Sequence, residues 1–467
     1  ETGKERKQRM DTIAAISTGN QITAIGVLRV SGPEALAAAD RVFHPLDGRK
    51  LSDHPRRQMV LGVLLDGEGQ VIDRCLAVTF AAGHSYTGED SAEFHCHGSP
   101  VVLAEGLRAL FAAGVRQAGR GEFTKRAFLN GRMDLTAAEA VIDLIEAETA
   151  QAARNAVEQL GGSLRRRVEG IYDKLLEVVS RFYAVVDYPD EDIEDTGREE
   201  IDAALAEAEA SLRVLLATAN RGRVLRSGVP AAIVGQPNVG KSSLLNALVG
   251  YDRAIVTDVA GTTRDTVEEK AVVGGVLLRL IDTAGIREST DQVERLGVDR
   301  SRQAMSQAQL VLAVLDGSRP VSAEDLEVLR EIGAEAPWLL IWSKADLWPE
   351  SAPPALPLEG LPAPAAVIPL SARTGAGLED LASAVEKLFP AGEATPGQIL
   401  TNARQEEAVS RALAAVSRAR EALAAGLTPD AALTDGEEAL SALGELTGRT
   451  VREDMVERIF ERFCVGK

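Results

Sequence analysis

The sequence GQPNVGKS at residues 235–242 reads as GxxxxGKS, a pattern typical of loops that bind phosphate. The apolar run PAAIV at residues 230–234 precedes it, as a buried parallel strand would, and SLLNAL at residues 243–248 follows it, as the start of a helix would. Glycines let backbone N–H groups turn toward phosphate oxygens, and a helix N-terminus adds partial positive charge. This order favours a phosphate site in an α/β domain over a chance glycine turn.

Two side chains of the loop have predicted roles in binding a nucleotide. Lys241 is expected to reach the β- and γ-phosphates, and the Ser242 hydroxyl is expected to bind Mg²⁺. The predicted contacts of the loop with the nucleotide are Asn238, Val239, Gly240, Lys241, Ser242 and Ser243.

A second motif, DTAG at residues 282–285, follows the apolar run VLLRLI at residues 276–281. Asp282 is predicted to hold Mg²⁺ through a water molecule. The backbone N–H of Gly285 is predicted to contact the γ-phosphate.

The motif SKAD at residues 343–346, after the apolar run WLLIW, indicates which base is bound. The carboxylate of Asp346 accepts two hydrogen bonds, from guanine N1–H and N2–H₂, and adenine lacks that pair of donors. Lys344 belongs to the same motif. Ser343 stands where this guanine motif normally has Asn, so we expect lost amide contacts and weaker affinity, with the preference for guanine kept through Asp346.

A fourth segment follows the apolar run VIPL and resembles the part of such proteins that supports guanine from the other side; it consists of Ser371, Ala372 and Arg373. Four motifs in this order, each after a predicted strand, resemble the GTP-binding domains of the translation-factor-like class. The sequence therefore predicts a GTP-binding domain.

The residue after DTAG is Ile286, where many small GTPases carry a Gln that orients water, so another group must orient the attacking water. Asn238 and residues 257–265 resemble a loop that binds a monovalent cation, which would neutralise transition-state charge beside the phosphates. Asn238 has a second interpretation, in which it only stiffens the phosphate loop. Thr263 is the predicted switch threonine on Mg²⁺.

Further motifs occur across the chain: MDTIAAI (10–16), SYTGED (85–90), EFHCHG (93–98), GEFTKRAFLNG (121–131), DLTAAEA (134–140), DTAGIRE (282–288), DQVE (291–294) and FCVGK (463–467). Together they resemble the MnmE (TrmE) family of bacterial tRNA-modification GTPases, from Met10 to Lys467. The resemblance thus covers essentially the whole chain.

The resemblance implies a K⁺-dependent GTPase that modifies carbon 5 of the wobble uridine of certain tRNAs, giving carboxymethylaminomethyl or aminomethyl products. It implies an FAD-dependent partner protein, a one-carbon unit from 5-formyl- or methylene-tetrahydrofolate, a homodimer, and a heterotetramer with the partner. GTP hydrolysis would drive dimerisation of the switch regions and domain movement.

Residue roles also come from the resemblance. Folate contacts fall on Arg29, Glu93, Arg132 and Lys467. The K⁺ ligands are Asn238, Thr257, Val259 and Thr262, and Thr257 and Thr262 are also counted among the residues that bind GTP. Glu294 matches the acid that orients or activates water, so the implied catalytic set is Glu294, Lys241 and Asp282.

Residues 17–23 (STGNQIT) depart from the family, which usually has a loop of the Pro-Pro-Gly-Arg-Gly type at this place. The departure supports a rival function, a GTP-dependent regulatory or assembly switch without folate chemistry. Arg29, Glu93 and Lys467 are all present, which favours the tRNA-modifying function.

The three cysteines do not make a disulfide framework, which fits a reducing cytoplasm. Cys464 has two interpretations, a reactive thiol near the folate site or a small buried residue, and we favour the buried one slightly. His95 and His97 share one face of a predicted strand around Cys96, but a zinc site there is improbable because no further Cys/His cluster follows.

The formal net charge of −19 argues against a broad electrostatic hold on tRNA. Local basic patches or the partner's surface would be needed instead; the candidate residues are Arg116, Arg120, Lys125, Arg126 and Arg132, and the run Arg165, Arg166 and Arg167. No apolar run is long enough for a membrane span, and no signal peptide is evident, so we expect a cytoplasmic protein.

These patterns predict a multidomain protein in four segments. Residues 10–127 alternate short strands and helices, which predicts an α+β domain for folate binding and dimerisation. Residues 128–222 are rich in Ala, Leu and Glu and form the first half of a helical domain, and residues 390–467 form its second half, ending in FCVGK. Residues 223–389 form an inserted α/β P-loop GTPase domain of the Ras-like, TrmE type.

Overall fold

The computed structural model describes residues 11–19, 21–187, 195–251, 269–281, 303–333, 336–348, 361–390, 395–427, 429–450, 453–461 and 463–466. The chain forms two compact units. The first consists of residues 1–142 together with 441–467, and the second consists of residues 143–440.

The N-terminal part of the chain is mostly strands. Its elements are β1 (Ile13–Ile16), β2 (Ile25–Ser31), α1 (Ala35–Val42), β3 (Phe43–Pro45), a 3₁₀ turn (Leu51–Asp53), β4 (Val60–Leu65), β5 (Val71–Phe80), β6 (Ser91–His97), α2 (Pro100–Ala112), β7 (Arg116–Gln117) and α3 (Glu122–Leu129).

Five helices follow, and then a segment that alternates strands and helices. The helices are α4 (Leu135–Ile145), α5 (Ala150–Leu160), α6 (Ser163–Asp187), α7 (Asp195–Leu216) and α8 (Ala219–Ser227). The alternating elements are β8 (Val229–Val234), α9 (Lys241–Tyr251), β9 (Glu269–Val273), β10 (Val276–Leu280), β11 (Leu310–Asp316), α10 (Ala323–Arg330), β12 (Trp338–Ser343), a 3₁₀ turn (Ala345–Leu347), β13 (Ala366–Pro369) and α11 (Leu378–Leu388).

The described C-terminal segment is helical again, and its elements are α12 (Ala403–Ala424), α13 (Pro429–Thr447) and α14 (Glu453–Phe460). Among the helices of the described residues, none is long and apolar enough to cross a membrane.

The first unit is built on a seven-stranded sheet with the strand order β3-β4-β5-β6-β2-β1-β7. Neighbouring strands are antiparallel except β1 and β7, which are parallel. Side chains alternate between the two faces of a strand, so Leu28 and Val30 of β2 enter the core with Phe94 of β6, and α1 and α2 cover that face. Arg29 and Glu93, which pair across β2 and β6, therefore lie on the other face.

Residues from the C-terminal end complete this unit. Phe460 of α14 packs against Phe128 of α3, with ring centroids 6.5 Å apart. Gly121 has a positive φ of 60°, and a Cβ there would lie 2.7 Å from the Phe460 carbonyl oxygen. Gly466 lies against β1, because a Cβ on it would be 2.2 Å from the Ile16 carbonyl oxygen. Only glycine leaves room for these two close backbone contacts.

The second unit contains a six-stranded sheet with the order β13-β12-β11-β8-β10-β9. Its strands are parallel except for β9, which pairs antiparallel with β10. The two central strands, β8 and β11, are buried almost throughout, as expected when helices cover both faces of a parallel sheet. In such a sheet, ligands bind at the carboxyl ends of the strands, and all four sequence motifs follow strands predicted to belong to it.

The same unit contains helices that flank the sheet segment in sequence, and they contact it at defined points. The strand segment begins directly after α8, where Gly222 approaches the Leu400 carbonyl so closely that a Cβ would lie 1.7 Å from its oxygen. On β9, Lys270 pairs with Glu148, their Nζ and Oε1 atoms 2.6 Å apart. At the β9–β10 turn, Gly275 lies next to Gln151 of α5. Residues that precede the sheet segment in sequence, Glu148 and Gln151, thus contact its β9–β10 hairpin.

Candidate functional site

The phosphate loop lies between the end of β8 and the start of α9, as predicted. Gly235 has a φ of 148°, and a Cβ there would lie 2.4 Å from the Val314 carbonyl oxygen of β11. Gly240 has a φ of 108°, and Asn238 adopts the left-handed conformation with a φ of 62°. The exposed Asn238 thus supports the turn, as its second interpretation requires.

Lys241 is the first residue of α9, and its ammonium group lies inside the loop. Its Nζ atom donates hydrogen bonds to the carbonyl oxygens of Gly235, at 2.7 Å, and of Gln236, at 2.8 Å. Burial lowers the pKa of Lys241 to about 8. The ammonium group is therefore held by the backbone of the loop that is predicted to bind phosphate.

Ser343, the last residue of β12, connects the guanine motif to the phosphate loop. It is 5% exposed, and its hydroxyl donates a hydrogen bond to the Val239 carbonyl oxygen. The segment that carries the guanine motif is thus tied to the phosphate loop, and the loss of amide contacts at Ser343 stays a prediction.

Lys344 follows in the left-handed conformation, with a φ of 57°. Its Nζ atom lies 2.6 Å from Oδ2 of Asp316, at the end of the neighbouring strand β11. Burial of the Asp316 carboxylate opposes ionisation, but hydrogen bonds from Lys344 and Ser318 outweigh it and lower the pKa of Asp316. Sequence reasoning missed Asp316, although a carboxylate that ends the apolar run LVLAVL is a detectable signal.

Asp346, the predicted reader of guanine, is oriented by the fourth motif. Its Oδ1 accepts a hydrogen bond of 2.6 Å from the Ser371 hydroxyl, and its Oδ2 lies 2.6 Å from Nη2 of Arg373. The hydrogen bond from Ser371, with the charge and hydrogen bond of Arg373, lowers the pKa of Asp346. Two motifs that are 25 residues apart in sequence thus meet at one ionised carboxylate.

The remaining predicted nucleotide contacts divide into two groups. Ser242 and Ser243 are exposed in the first turn of α9, and Ala372 lies half-buried between Ser371 and Arg373. The predicted residues that lie outside the described part of the chain are Thr257, Val259, Thr262, Thr263, Asp282, Gly285, Glu294 and Lys467.

Arg29 and Glu93, two of the predicted folate residues, form an ion pair on the open face of the first sheet. Nε of Arg29 donates to Oε1 of Glu93 at 2.9 Å, and both side chains are about four-fifths buried. The guanidinium of Arg29 lies 5.3 Å from the ring centroid of Tyr86 and 5.5 Å from that of Phe123. These aromatic contacts hold the arginine in place.

His95 is a neighbour that sequence reasoning did not connect with this pair. Its Nε2 atom lies 3.5 Å from Oε2 of Glu93, too far for a strong hydrogen bond. Side chains alternate between the two faces of β6, so Glu93 and His95 lie on the same face. Their spacing of two residues was the signal available in the sequence.

Arg132, the third predicted folate residue, is exposed and lies beside Gly88, whose Cβ would be 3.1 Å from the Arg132 Cγ atom. Gly88 belongs to the same loop as Tyr86, the residue beneath Arg29. Residue 466 contacts Ile16 of β1, which pairs with Leu28 of β2 directly before Arg29. The first unit thus brings into one region the segments that carry Arg29, Glu93 and Arg132, together with the residue before Lys467.

The segment that departs from the family is anchored to the sheet. The Thr18 hydroxyl accepts a hydrogen bond of 3.1 Å from the Val27 N–H, and the Thr23 N–H donates one of 3.1 Å to the Gly98 carbonyl. Threonine contacts thus fix both ends of this loop.

Two predictions about single residues are corrected. Cys464 is exposed, so its interpretation as a small buried residue is wrong. Arg126 is almost fully buried and pairs with Glu89, Glu122 and Asp11, and Arg116 pairs with Asp11 and Glu122. Arg126 is therefore not exposed for tRNA, and two carboxylates offset the charge of Arg116.

The fold of the second unit and its phosphate loop identify a class of proteins. A mostly parallel six-stranded sheet with a GxxxxGKS loop at the end of its central strand β8 defines the class of P-loop GTP-binding proteins. A model of the MnmE helical domain matches residues 135–464, and a model of the N-terminus of the GTP-binding protein TrmE matches residues 12–132. These two models together span both units.

Curated relatives match along nearly their full length. A tRNA modification GTPase MnmE from Symbiobacterium thermophilum is 42% identical over 98% of this chain and 99% of its own. One from Chloroflexus aurantiacus is 44% identical over 98% of this chain and 100% of its own. The chain belongs to the family of tRNA modification GTPases MnmE.

Proposed function

We propose that this protein hydrolyses GTP while it modifies carbon 5 of the wobble uridine of certain tRNAs, together with an FAD-dependent partner. The one-carbon unit would come from 5-formyl- or methylene-tetrahydrofolate. The observation that carries the folate part is the Arg29–Glu93 ion pair, four-fifths buried and braced by Tyr86 and Phe123. A passive GTP switch, the rival function, has no need of this arrangement in the first unit.

The contacts of the described residues support a division of labour in binding GTP. Lys241 would move its hydrogen bonds from loop carbonyls to the β- and γ-phosphates. Asp346, held by Ser371, would accept N1–H and N2–H₂ of guanine. Arg373 would have to release Oδ2 of Asp346 for this to happen, because a guanine donor would take its place at that oxygen.

Ser242 and Asn238 carry oxygen atoms of the kind that Mg²⁺ and K⁺ bind. Ser242 and Thr263 would hold Mg²⁺, and Asn238, Thr257, Val259 and Thr262 would hold K⁺. The exposed Asn238 at the tip of the loop fits a cation site beside the phosphates. The cations would supply positive charge to the transition state, and Glu294 would orient the attacking water.

At the folate site, Glu93 has one oxygen engaged by Arg29, which leaves Oε2 to accept a hydrogen bond from the donor edge of a pterin. Arg132 and Lys467 carry positive charge that suits the anionic glutamate tail. We assign the protein a homodimeric state, a heterotetramer with its partner and a cytoplasmic location. With a net charge of −19, tRNA would be held largely by the partner.

Two measurements test the proposal at separate points. GTP hydrolysis in K⁺ is compared with hydrolysis in Na⁺ at equal ionic strength, and strong stimulation by K⁺ is expected. Equal rates would remove the cation site from the mechanism.

A bacterial host that lacks its own copy of this gene is then complemented with the chain, and its wobble uridines are analysed. Unmodified uridines in a host with working GTP hydrolysis would favour the passive switch.

A further inference from the structure

Two cysteines and one aspartate meet within the first sheet, away from the residues assigned to GTP and folate. Cys75 of β5 and Cys96 of β6 bring their Sγ atoms to 3.8 Å, and the Asp73 carboxylate lies within 4.8 Å of both sulfurs. Cys75 is 5% exposed and Cys96 is 2% exposed. This is the one group of three His, Cys, Asp or Glu side chains with metal-ligand spacing among the described residues.

The strand register explains how these residues come together. Leu76 pairs with His95 across β5 and β6, so the next residues on the opposite face are Cys75 and Cys96. Asp73 lies two positions before Cys75 and shares its face. This group could not be recognised in the sequence, because the pattern His-Cys-His draws attention to His95 and His97. These two histidines contact different carboxylates, Glu93 and Asp73.

We infer that Asp73, Cys75 and Cys96 form a binding site for a zinc ion. Two thiolates and a carboxylate are zinc ligands, and three protein ligands leave the fourth tetrahedral position for water. Zn–S bonds of about 2.3 Å at a tetrahedral centre hold two sulfurs about 3.8 Å apart, which is the spacing found here. A disulfide would need the sulfurs to approach to about 2.05 Å.

A cation would also balance the charge of this group. The thiol contact with Cys75, burial, and the charge of Asp73 raise the pKa of Cys96 in the absence of a metal. Zinc binding would release two thiol protons to solvent, and the ion would offset the charge of two thiolates and a carboxylate. The otherwise unfavourable proximity of three anionic groups is thereby relieved.

A second layer of contacts orients the carboxylate. Asp73 Oδ1 lies 2.8 Å from Nδ1 of His97, and Asp73 Oδ2 accepts a hydrogen bond of 2.8 Å from the His97 N–H. The Asp73 side chain is only 9% exposed. Histidine and backbone contacts of this kind fix the orientation of metal-binding carboxylates and strengthen binding.

The test uses the full chain, purified under reducing conditions, stripped with a chelator and titrated with Zn²⁺, and with Co²⁺ as a spectroscopic probe. We expect about one ion per chain and a thiolate-to-cobalt charge-transfer band. Cys75→Ser and Cys96→Ala should lose both. The matched control is Cys464→Ser, which removes the exposed third cysteine and should leave binding unchanged.

Asp73→Asn separates the site from simple packing, because it keeps the two buried thiols in place. It should weaken zinc affinity about 10-fold or more while GTP hydrolysis stays as in the unaltered chain, which also reports that the variant is folded. The inference is overturned if the stripped chain takes up no zinc, if Cys75→Ser binds as well as the control, or if the isolated protein carries a Cys75–Cys96 disulfide.

Discussion

Replacing Glu93 by Gln tests the folate site most directly, because it removes the charge and leaves the shape of the side chain almost unchanged. In the unaltered chain, Oε1 of Glu93 accepts a hydrogen bond of 2.9 Å from Arg29, and Oε2 remains for a pterin donor. A hydrogen bond to a charged group contributes about 1.5–3 kcal/mol. Losing one such bond to folate should raise its dissociation constant about 10- to 150-fold.

The assay measures equilibrium binding of 5-formyl-tetrahydrofolate to Glu93→Gln by calorimetry. The control is Glu105→Gln, which removes an exposed carboxylate that pairs with Arg108 on α2 and should change folate affinity less than about twofold. GTP hydrolysis by both variants reports that they are folded. Unchanged folate affinity in Glu93→Gln would refute the assignment of Glu93 as a folate contact.

Three further predictions concern the nucleotide site. Ser343→Ala leaves the buried Val239 carbonyl without its hydrogen-bond donor, which costs about 1–3 kcal/mol. The dissociation constant for GDP, measured by dialysis, should therefore rise by up to about 150-fold. Ser343→Asn should restore GDP binding. Because burial lowers the pKa of Lys241 to about 8, the lysine of the free protein is mostly neutral above that pH, and binding of phosphate must take up a proton. GDP affinity should therefore be about fourfold lower at about pH 8.5 than at about pH 7. A GDP affinity that does not change with pH would contradict this role of Lys241. Asp346→Asn should move base preference from guanine toward xanthine in competition binding, and an unchanged preference would mean that another group reads the base.

Four strands of the GTP-binding domain, β8, β10, β12 and β13, could be predicted because each is a mostly apolar run placed directly before a motif. Residues 230–234 and 338–342 lie within β8 and β12, both almost fully buried. In a strand that is covered on both faces, nearly every residue is apolar, so the local sequence alone is enough to predict the strand.

Contacts between distant residues could not be predicted in the same way. Lys344 and Asp316 are 28 positions apart, and Ser343 and Val239 are 104 apart. Only the order of strands β8, β11 and β12 brings these groups together, and the order is a property of the whole sheet. Exposure of Cys464 was misjudged for a related reason, since its apolar neighbours Phe463 and Val465 do not determine which way it faces.

The glycine contact between residue 466 and Ile16 has a consequence for the order in which the protein matures on the ribosome. The first unit draws β1 to α3 from the start of the chain and α14 from its end, and residues 143–440 are synthesised between them. The sheet can pair its strands early, but Phe460 and Gly466 arrive only after the GTP-binding segment is complete. A chain released before Phe460 is made would carry the phosphate loop beside a first unit that lacks the contacts of α14.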